Sequence, residues 1–330
     1  MLYGPGKHPA PMCYSAQITA SFRTHARRMG ARADLAAFHA LFAQRLADPR
    51  IRVPKAMETD FLSPESDEEA AIGALIRVFH QEEATRCEQA LFAQRKRLAD
   101  AQRKLDVRPT KTASESARIA GAKVESLLAR LSDLRRTEAL PRDHRIYPGY
   151  FAPVLVWEDG QRVLKPMRYQ CRPAGKPAFY DQKYPGTYNA RRDNLRGFWR
   201  GQSGHTQGLM IVQAFYEHVA RHQVEGRALA PGESPESVIL EFRPQTGENM
   251  RVACLWSRWQ APGEADLLSF AAITDTPPPE VAATGHDRCI IPLADEAIDP
   301  WLRPDAAGLD AVEALLDQRA RPRYAHRWAA

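Results

Sequence analysis

Apolar residues recur along this chain in two rhythms, and the change from one to the other divides it. In the first part the rhythm is helical. Leu35, Phe38, Leu41, Phe42 and Leu46 fall on one face, and residues 18–47 read as a single helix closed by Asp48-Pro49. Ile51 to Pro54 follows as a short extended segment. Ser66 with Glu69 three positions later forms a capping-box start. Ile72, Leu75, Phe79, Cys87, Leu91, Leu98 and Leu105 then make a stripe of roughly heptad period. Val107-Arg-Pro-Thr-Lys interrupts it, and Ile119, Val124, Leu127, Leu131 and Leu134 resume it. The pattern predicts an antiparallel helical hairpin, inserted at about residues 60–143.

Beyond residue 145 the period shortens. Phe151 to Trp157 and Gln161 to Tyr169 flank Glu158-Asp159-Gly160, a hairpin signal because Asp-Gly tolerates the positive φ that tight turns need. Gly208 to Tyr216 is an apolar run of strand length that ends on Glu217. Ser237 to Phe242 and Arg251 to Trp256 flank a second turn at Thr246 to Asn249. Leu267 to Thr274 is another buried strand, broken by Pro277 to Pro279. Short helices at Asp295 to Leu302 and Leu309 to Leu316 close the chain. Hairpins without regular βαβ alternation predict an α+β fold.

Composition narrows the classes. With 330 residues and 44% hydrophobic content the chain can bury a sizeable core. A net charge of +6, dominated by Arg, permits a polyanionic partner. Five scattered cysteines with no CxxC pair argue against a zinc ribbon or disulfide framework and suit a reducing cytosol. No apolar run reaches the length of a membrane span, so no membrane partner is expected. Dinucleotide, P-loop, GxSxG and HExxH motifs are absent. His218 and His222 are four apart, as on one helix face, but Glu217 precedes both and the zincin order is broken, so neither metal nor cofactor is expected.

The chemistry-bearing candidates are few. Met12-Cys13 would give a cysteine with a free α-amine if residues 1–12 were absent, and two nucleophiles on adjacent carbons are rare in a protein. Otherwise Cys13 is a small core residue. Asn189 sits in a loop with Arg191, Arg192 and Asp193, Glu217 ends an apolar strand, and His286 lies in a Gly-containing loop before Arg288. Singly these are a turn residue, a partner for some Arg, and a loop histidine.

Together, Met12-Cys13, Asn189-Ala190-Arg191-Arg192-Asp193, Phe215-Tyr216-Glu217, Ile273-Thr274 with His286-Asp287-Arg288, and Asp299-Pro300-Trp301-Leu302 resemble the SOS-response-associated peptidase (SRAP) family. The resemblance covers Met12–Gln17 and roughly 146–303. It implies a compact, barrel-like core of mostly antiparallel strands flanked by helices, spanning 12–330 around the inserted hairpin, with 1–11 an unstructured leader or upstream-start extension. It also implies covalent capture of abasic sites in single-stranded DNA. Cys13 would be the nucleophile, Asn189 would hold its amine, Glu217 would move protons and His286 would assist sugar opening. Arg191, Arg192, Arg196, Thr274 and Arg288 would contact DNA. Tyr188, Trp199 and Trp157 are candidates for stacking on bases. A cytoplasmic, nucleoid-associated location follows, with the hairpin free for a protein partner or self-association. Two alternatives stand beside this reading: a thiol autopeptidase that exposes Cys13, and a non-catalytic DNA- or protein-binding module. Departures are Tyr14-Ser15 where the family usually has Gly-Arg, Asp193 for Glu, and Cys289-Ile290 after His-Asp-Arg.

Overall fold

The computed structural model describes residues 15–18, 21–303 and 308–329. The chain forms two compact units, one of Met1–Leu41, Arg50–Asp60 and Pro141–Ala330, the other of Phe42–Pro49 and Phe61–Leu140.

The second unit is built on helices α3 (Asp67–Val107) and α4 (Lys111–Arg135). Ser66 Oγ accepts the Glu69 N–H at 3.2 Å and the Glu69 carboxylate reaches back to the N–H of Glu65 at 2.7 Å, so the cap satisfies two backbone donors. Thr110 caps α4 in the same way, accepting from the Ala113 N–H. Cys87, Leu91 and Leu131 form the seam between the helices, with Ala84, Val124, Leu127 and Leu134 packed around them. Arg130 bridges to buried Glu83, and Arg135 to Glu88. Arg97 Nε–H donates to Ser116 Oγ at 3.0 Å, so a residue later in α3 meets one earlier in α4 than the Glu83–Arg130 pair does, and the helices are antiparallel.

The first unit holds a sheet of 12 strands among the described residues. They are β1 (Ser15–Ile18), β2 (Arg32–Ala33), β3 (Arg145–Ile146), β4 (Phe151–Glu158), β5 (Gln161–Tyr169), β6 (Asn189–Arg191), β7 (Gln207–Ala220), β8 (Ser237–Pro244), β9 (Met250–Trp259), β10 (Leu267–Asp275), β11 (Cys289–Ile290) and β12 (Tyr324–Trp328). Pairings β10–β5, β5–β4, β4–β7, β7–β9 and β9–β10 close a ring. Closure removes strand edges that would otherwise stay unpaired. Most pairs are antiparallel, but β10 runs parallel to β5 and β6, and β2 parallel to β5. Asp159 and Gly160 both take positive φ, 51° and 75°, at the β4–β5 turn, as Asp-Gly predicts.

Strand β7 organises the unit. Its first half pairs with β4 and β9 in the ring, and its second half pairs with β1 and β8. The register slips at Gln213, which has no opposite number between Gln17↔Ala214 and Ile18↔Val212, and this bulge falls where β7 passes from one set of neighbours to the other. Gly208 is required near its start: a Cβ there would stand 2.9 Å from Val154 Cγ1 and 3.1 Å from the Leu155 carbonyl.

Three expectations are corrected. Residues 18–47 are not one helix but α1 (Phe22–Met29) and α2 (Leu35–Ala47), parted by Gly30 at φ 56° and by β2, which adds to β5. The left-handed glycine ends α1, and a neighbouring strand captures the next residues. Glu217 does not end its strand. β8 offers Leu240, Ile239, Val238 and Ser237 as partners for Glu217 to Ala220, so the ladder runs on past it. His218 lies in β7 while His222 lies in the single helical turn Arg221–Val224, so the two do not share a helix face. Helices α5 (Asp295–Leu302) and α6 (Gly308–Asp317) complete the unit, and Trp301 Nε1–H donates to the Gly208 carbonyl at 3.0 Å.

Candidate functional site

The ladder past Glu217 places a carboxylate inside the sheet. Its side chain has no exposure, and its Oε2 lies 2.9 Å from Nε2 of His286, itself 2% exposed. His286 is brought there by the turn at Gly285, φ 87°, which follows the short helical turn Pro279–Ala282. The His286 ring is held from its other side: Nδ1 lies 2.9 Å from the Arg288 carbonyl and 3.3 Å from the Arg288 N–H. The shorter contact has Nδ1–H donating to the carbonyl. Nε2 then faces Glu217 with one proton between two groups, carried by either. A water-excluded carboxyl and imidazole sharing one proton form a ready relay for acid–base work.

The second half of the site is made by β6 lying parallel to β10, with Ala272↔Asn189 and Thr274↔Arg191 in register. Thr274 Oγ1–H donates to Asn189 Oδ1 at 2.6 Å, and both side chains are buried. That bond fixes the amide plane. Asn189 Nδ2 is left without a hydrogen-bond partner among the described residues. A buried amide N–H without an acceptor costs about 1–3 kcal/mol, which an arriving acceptor would restore. β11 pairs with the end of β10, Thr274↔Ile290 and Asp275↔Cys289, so the loop carrying His286 leads directly to the Asn189–Thr274 corner. Burial and the Glu217 charge push the Cys289 thiol well above the usual range.

Cys13 lies outside the described residues. The described chain starts at Ser15, whose strand partner is Tyr216, the residue before Glu217. Of the cysteines that are described, Cys87, Cys171, Cys254 and Cys289 are all buried, and burial pushes the Cys171 thiol up to about 12 and raises Cys254 too. These three raised thiols are poor nucleophiles.

The expected DNA contacts sit in different settings. Arg191 bonds Asp193, with Nη2 to Oδ2 at 2.6 Å. Arg192 bridges Asp275 at 3.1 Å and Asp317 at 2.7 Å, and Arg196 holds Glu313 at 2.7 Å and also Asp310, so both tie this segment to α6. Thr274 is fully buried and spends its hydroxyl on Asn189. Arg288 is 15% exposed, with Asp287 3.9 Å away. Tyr188 and Trp199 are buried, and the Arg303 guanidinium covers Trp157 at 3.9 Å.

Residues that the sequence pattern did not single out do form an exposed aromatic group. Tyr180 packs on Tyr184 at 4.3 Å and stacks with Phe198 at 6.2 Å, while Phe179, Tyr184 and Phe198 are exposed. Lys176 and Lys183 lie over Tyr180 and Tyr184. The signal was the density of aromatics and lysines in 176–184, which lacks the strand or helix period that marked other segments.

Among the described residues no three His, Cys, Asp or Glu side chains are placed to hold a metal ion. No described helix is long and apolar enough to cross a membrane.

A family profile described as SOS response associated peptidase (SRAP) matches residues 107–327. The match takes in Asn189, Glu217, Thr274 and His286 and leaves β1 and Cys13 outside it. Among solved structures, the chain is similar to a protein from Bordetella bronchiseptica, with 17% identity over 59% of this chain and 90% of the other and a TM-score of 0.45. A protein from Bacteroides thetaiotaomicron is similar at 14% identity, over 57% and 78%, with a TM-score of 0.44. A phage-related protein from Bordetella bronchiseptica is similar at 19%, over 59% and 84%, with a TM-score of 0.43. No curated protein matches.

Proposed function

This chain belongs to the SOS response associated peptidase (SRAP) family, and from that premise we propose that it captures abasic sites in single-stranded DNA as a thiazolidine on Cys13. Membership supports a role in the DNA damage response and DNA binding in general. The observation that carries the finer reading is the buried Glu217–His286 pair, 2.9 Å apart, one residue along β7 from the strand partner of Ser15. Cys13 is two residues upstream of Ser15, and two residues of chain reach at most about 7 Å.

The chemistry balances without a cofactor. An abasic sugar opens to an aldehyde. The Cys13 amine forms an N–C bond to the aldehyde carbon, and the oxygen takes a proton to give a carbinolamine. Loss of water gives an imine. The Cys13 thiolate then forms an S–C bond to the same carbon, the C=N electron pair moves to nitrogen, and nitrogen takes a proton. Glu217 delivers the proton that lets water leave, and His286 replenishes it. The reverse proton path serves ring opening. Asn189 Oδ1 accepts one bond from Thr274 and has a second lone pair for the cysteine amine, while Nδ2–H, unpartnered among the described residues, would donate to an oxygen of the sugar. Thr274 is thus a positioning residue. Arg288 and Arg191 contact phosphate, Arg191 by exchanging the Asp193 carboxylate for it. Arg192 and Arg196 contribute only if their carboxylate partners are displaced. Phe179, Tyr184 and Phe198 offer the faces on which bases stack.

The test is a denaturing gel with the chain beginning at Cys13, its free amine verified by intact mass, and an oligonucleotide holding one abasic site. A slow-migrating adduct is expected, absent with Cys13→Ala. No adduct from the verified protein sinks the proposal. With residues 1–12 attached, the amine is a peptide nitrogen and no adduct forms. Loss of those residues from wild type but not from Cys13→Ala identifies self-cleavage as the route.

A further inference from the structure

Nine Lys and Arg and three Asp and Glu lie between residues 93 and 123, a net +6 that equals the net charge of the whole 330-residue chain. This segment is the distal half of the hairpin: the end of α3, the turn at 108–110 and the start of α4. The proximal stretch 67–92 has the opposite sign, with six acids against two Arg. α3 opens on Asp67, Glu68 and Glu69, whereas the first turn of α4 has no acid. Solvated helix faces ordinarily mix the two signs. Here they are sorted along the length of the hairpin.

The three acids of the segment are already engaged. Asp100 is held by Arg103, Glu115 by Arg118 at 2.5 Å, and Asp106 accepts from the Gln102 amide at 3.0 Å. Arg95, Lys96, Lys104, Arg108, Lys111 and Lys123 are exposed and have no charge partner among the described residues. Lys96 and Lys104 are eight positions apart, on one face of α3 and about 12 Å along it. They border a groove of about 580 Å³ that Thr110, Thr112 and Ser116 line from α4 and its cap. Thr110 Oγ1 accepts from the Ala113 N–H and Ser116 Oγ from the Arg97 Nε–H, so each hydroxyl proton is left to donate. The apolar lining is alanine alone, and exposed Phe92 and Val107 lie outside it. Such a groove offers no pocket for the buried aromatic or aliphatic anchor of a protein interface. It matches a chain of phosphates, which Lys, Arg, Ser and Thr contact without reading bases.

We propose that the distal half of the hairpin is a nucleic-acid binding surface that takes the phosphodiester backbone independently of sequence. Lys96, Lys104 and Lys111 supply the charge, and the hydroxyls of Thr110, Thr112 and Ser116 donate beside them. This surface goes beyond the capture chemistry and needs neither Cys13 nor the Glu217–His286 relay. It gives the inserted hairpin a nucleic acid, not a protein, as its partner.

The experiment is equilibrium binding of the full chain to an undamaged, fluorescently labelled DNA of one sequence, single-stranded or paired, across a salt series. Each phosphate contact contributes about 0.9 to the slope of log K against log salt on a duplex and about 0.7 on a single strand. Lys96→Gln, Lys104→Gln and Lys111→Gln are combined in one variant, at exposed positions that hold no partner. It is expected to lower the slope by about 2 and the affinity at low salt at least about tenfold. The form of DNA that shows the loss identifies the backbone the hairpin takes. Lys96→Arg, Lys104→Arg and Lys111→Arg together keep the charge and are expected to keep slope and affinity. Arg95→Gln with Lys123→Gln serves as the test if the Gln triple does not fold. Arg321→Gln with Arg323→Gln removes exposed charge from the other unit. An equal fall per charge in that control shows that net charge and not the hairpin binds, and overturns the proposal. Unchanged slope and affinity in the folded Gln triple overturn it too, as does a wild-type chain that binds neither form of DNA. Capture by Cys13 is read separately, from the adduct.

Discussion

Replacing Glu217 by Gln separates chemistry from architecture at this site. The two side chains have nearly the same shape, so the fully buried position creates no cavity. The amide N–H of Gln can donate to Nε2 of His286 across the same 2.9 Å, with Nδ1–H still donating to the Arg288 carbonyl. His286 Nε2 keeps a partner and a buried charge is removed, so stability is expected to change little. The relay, however, is broken, because an amide neither accepts nor releases the proton. Positioned acid–base catalysis contributes about 10²–10⁴ in rate, or about 2.7–5.5 kcal/mol of barrier. Single-turnover cross-linking of a chain beginning at Cys13 to an abasic oligonucleotide should therefore slow by at least about 100-fold, while the melting temperature holds. A folded Glu217→Gln protein that cross-links at the wild-type rate would falsify the assignment of Glu217 as proton carrier. A variant that melts far below wild type would refute the claim that the position tolerates an isostere.

Thr274→Val keeps the packing but strips Asn189 Oδ1 of its 2.6 Å bond; a loss of about 1–3 kcal/mol in chemical unfolding is expected, with slower cross-linking and unchanged single-strand affinity, and a change in affinity would instead mark Thr274 as a direct DNA contact. His25 is pushed down from 6.5 to about 4 by burial and by Arg28. It is neutral in both states above pH 6.5; as pH falls toward about 4 the unfolded chain takes a proton that the folded chain refuses, so about 3 kcal/mol of stability is lost over that window. His25→Gln should flatten the pH dependence of melting between those limits, and an unaltered profile would assign the acid sensitivity elsewhere. Leu131→Ala empties a place in the hairpin seam beside Cys87 and Leu91; it should cost the hairpin about 2–4 kcal/mol, seen as faster amide exchange in α3 and α4, and equal exchange rates would show that the seam carries little of their stability.

The features that sequence alone determined are those whose cause lies within a few residues. Ser66 and Glu69 start α3 because cap and acceptor are three apart on one turn. Asp159-Gly160 turns the β4–β5 hairpin because that pair accepts positive φ. The seam between α3 and α4 follows from its period, and the motif residues Asn189, Glu217 and His286 are legible as residue types. What tertiary structure decided is pairing across long separations. Residues around Gly30 read as helix until β5, more than a hundred positions away, claims Arg32–Ala33 as a strand. Glu217 reads as a strand end until β8 extends the ladder and encloses it. The partner of the Thr274 hydroxyl is nowhere near it in sequence; β6 lying beside β10 brings Asn189 to it. Arg145 carries no local signal at all; its guanidinium lies over the Tyr216 ring and donates to Ser15 because β3, β1 and β7 lie side by side. Local periodicity encodes which face of an element is apolar. Which partner covers that face, and which polar group is left unpaired at it, is set only when the ring of strands closes.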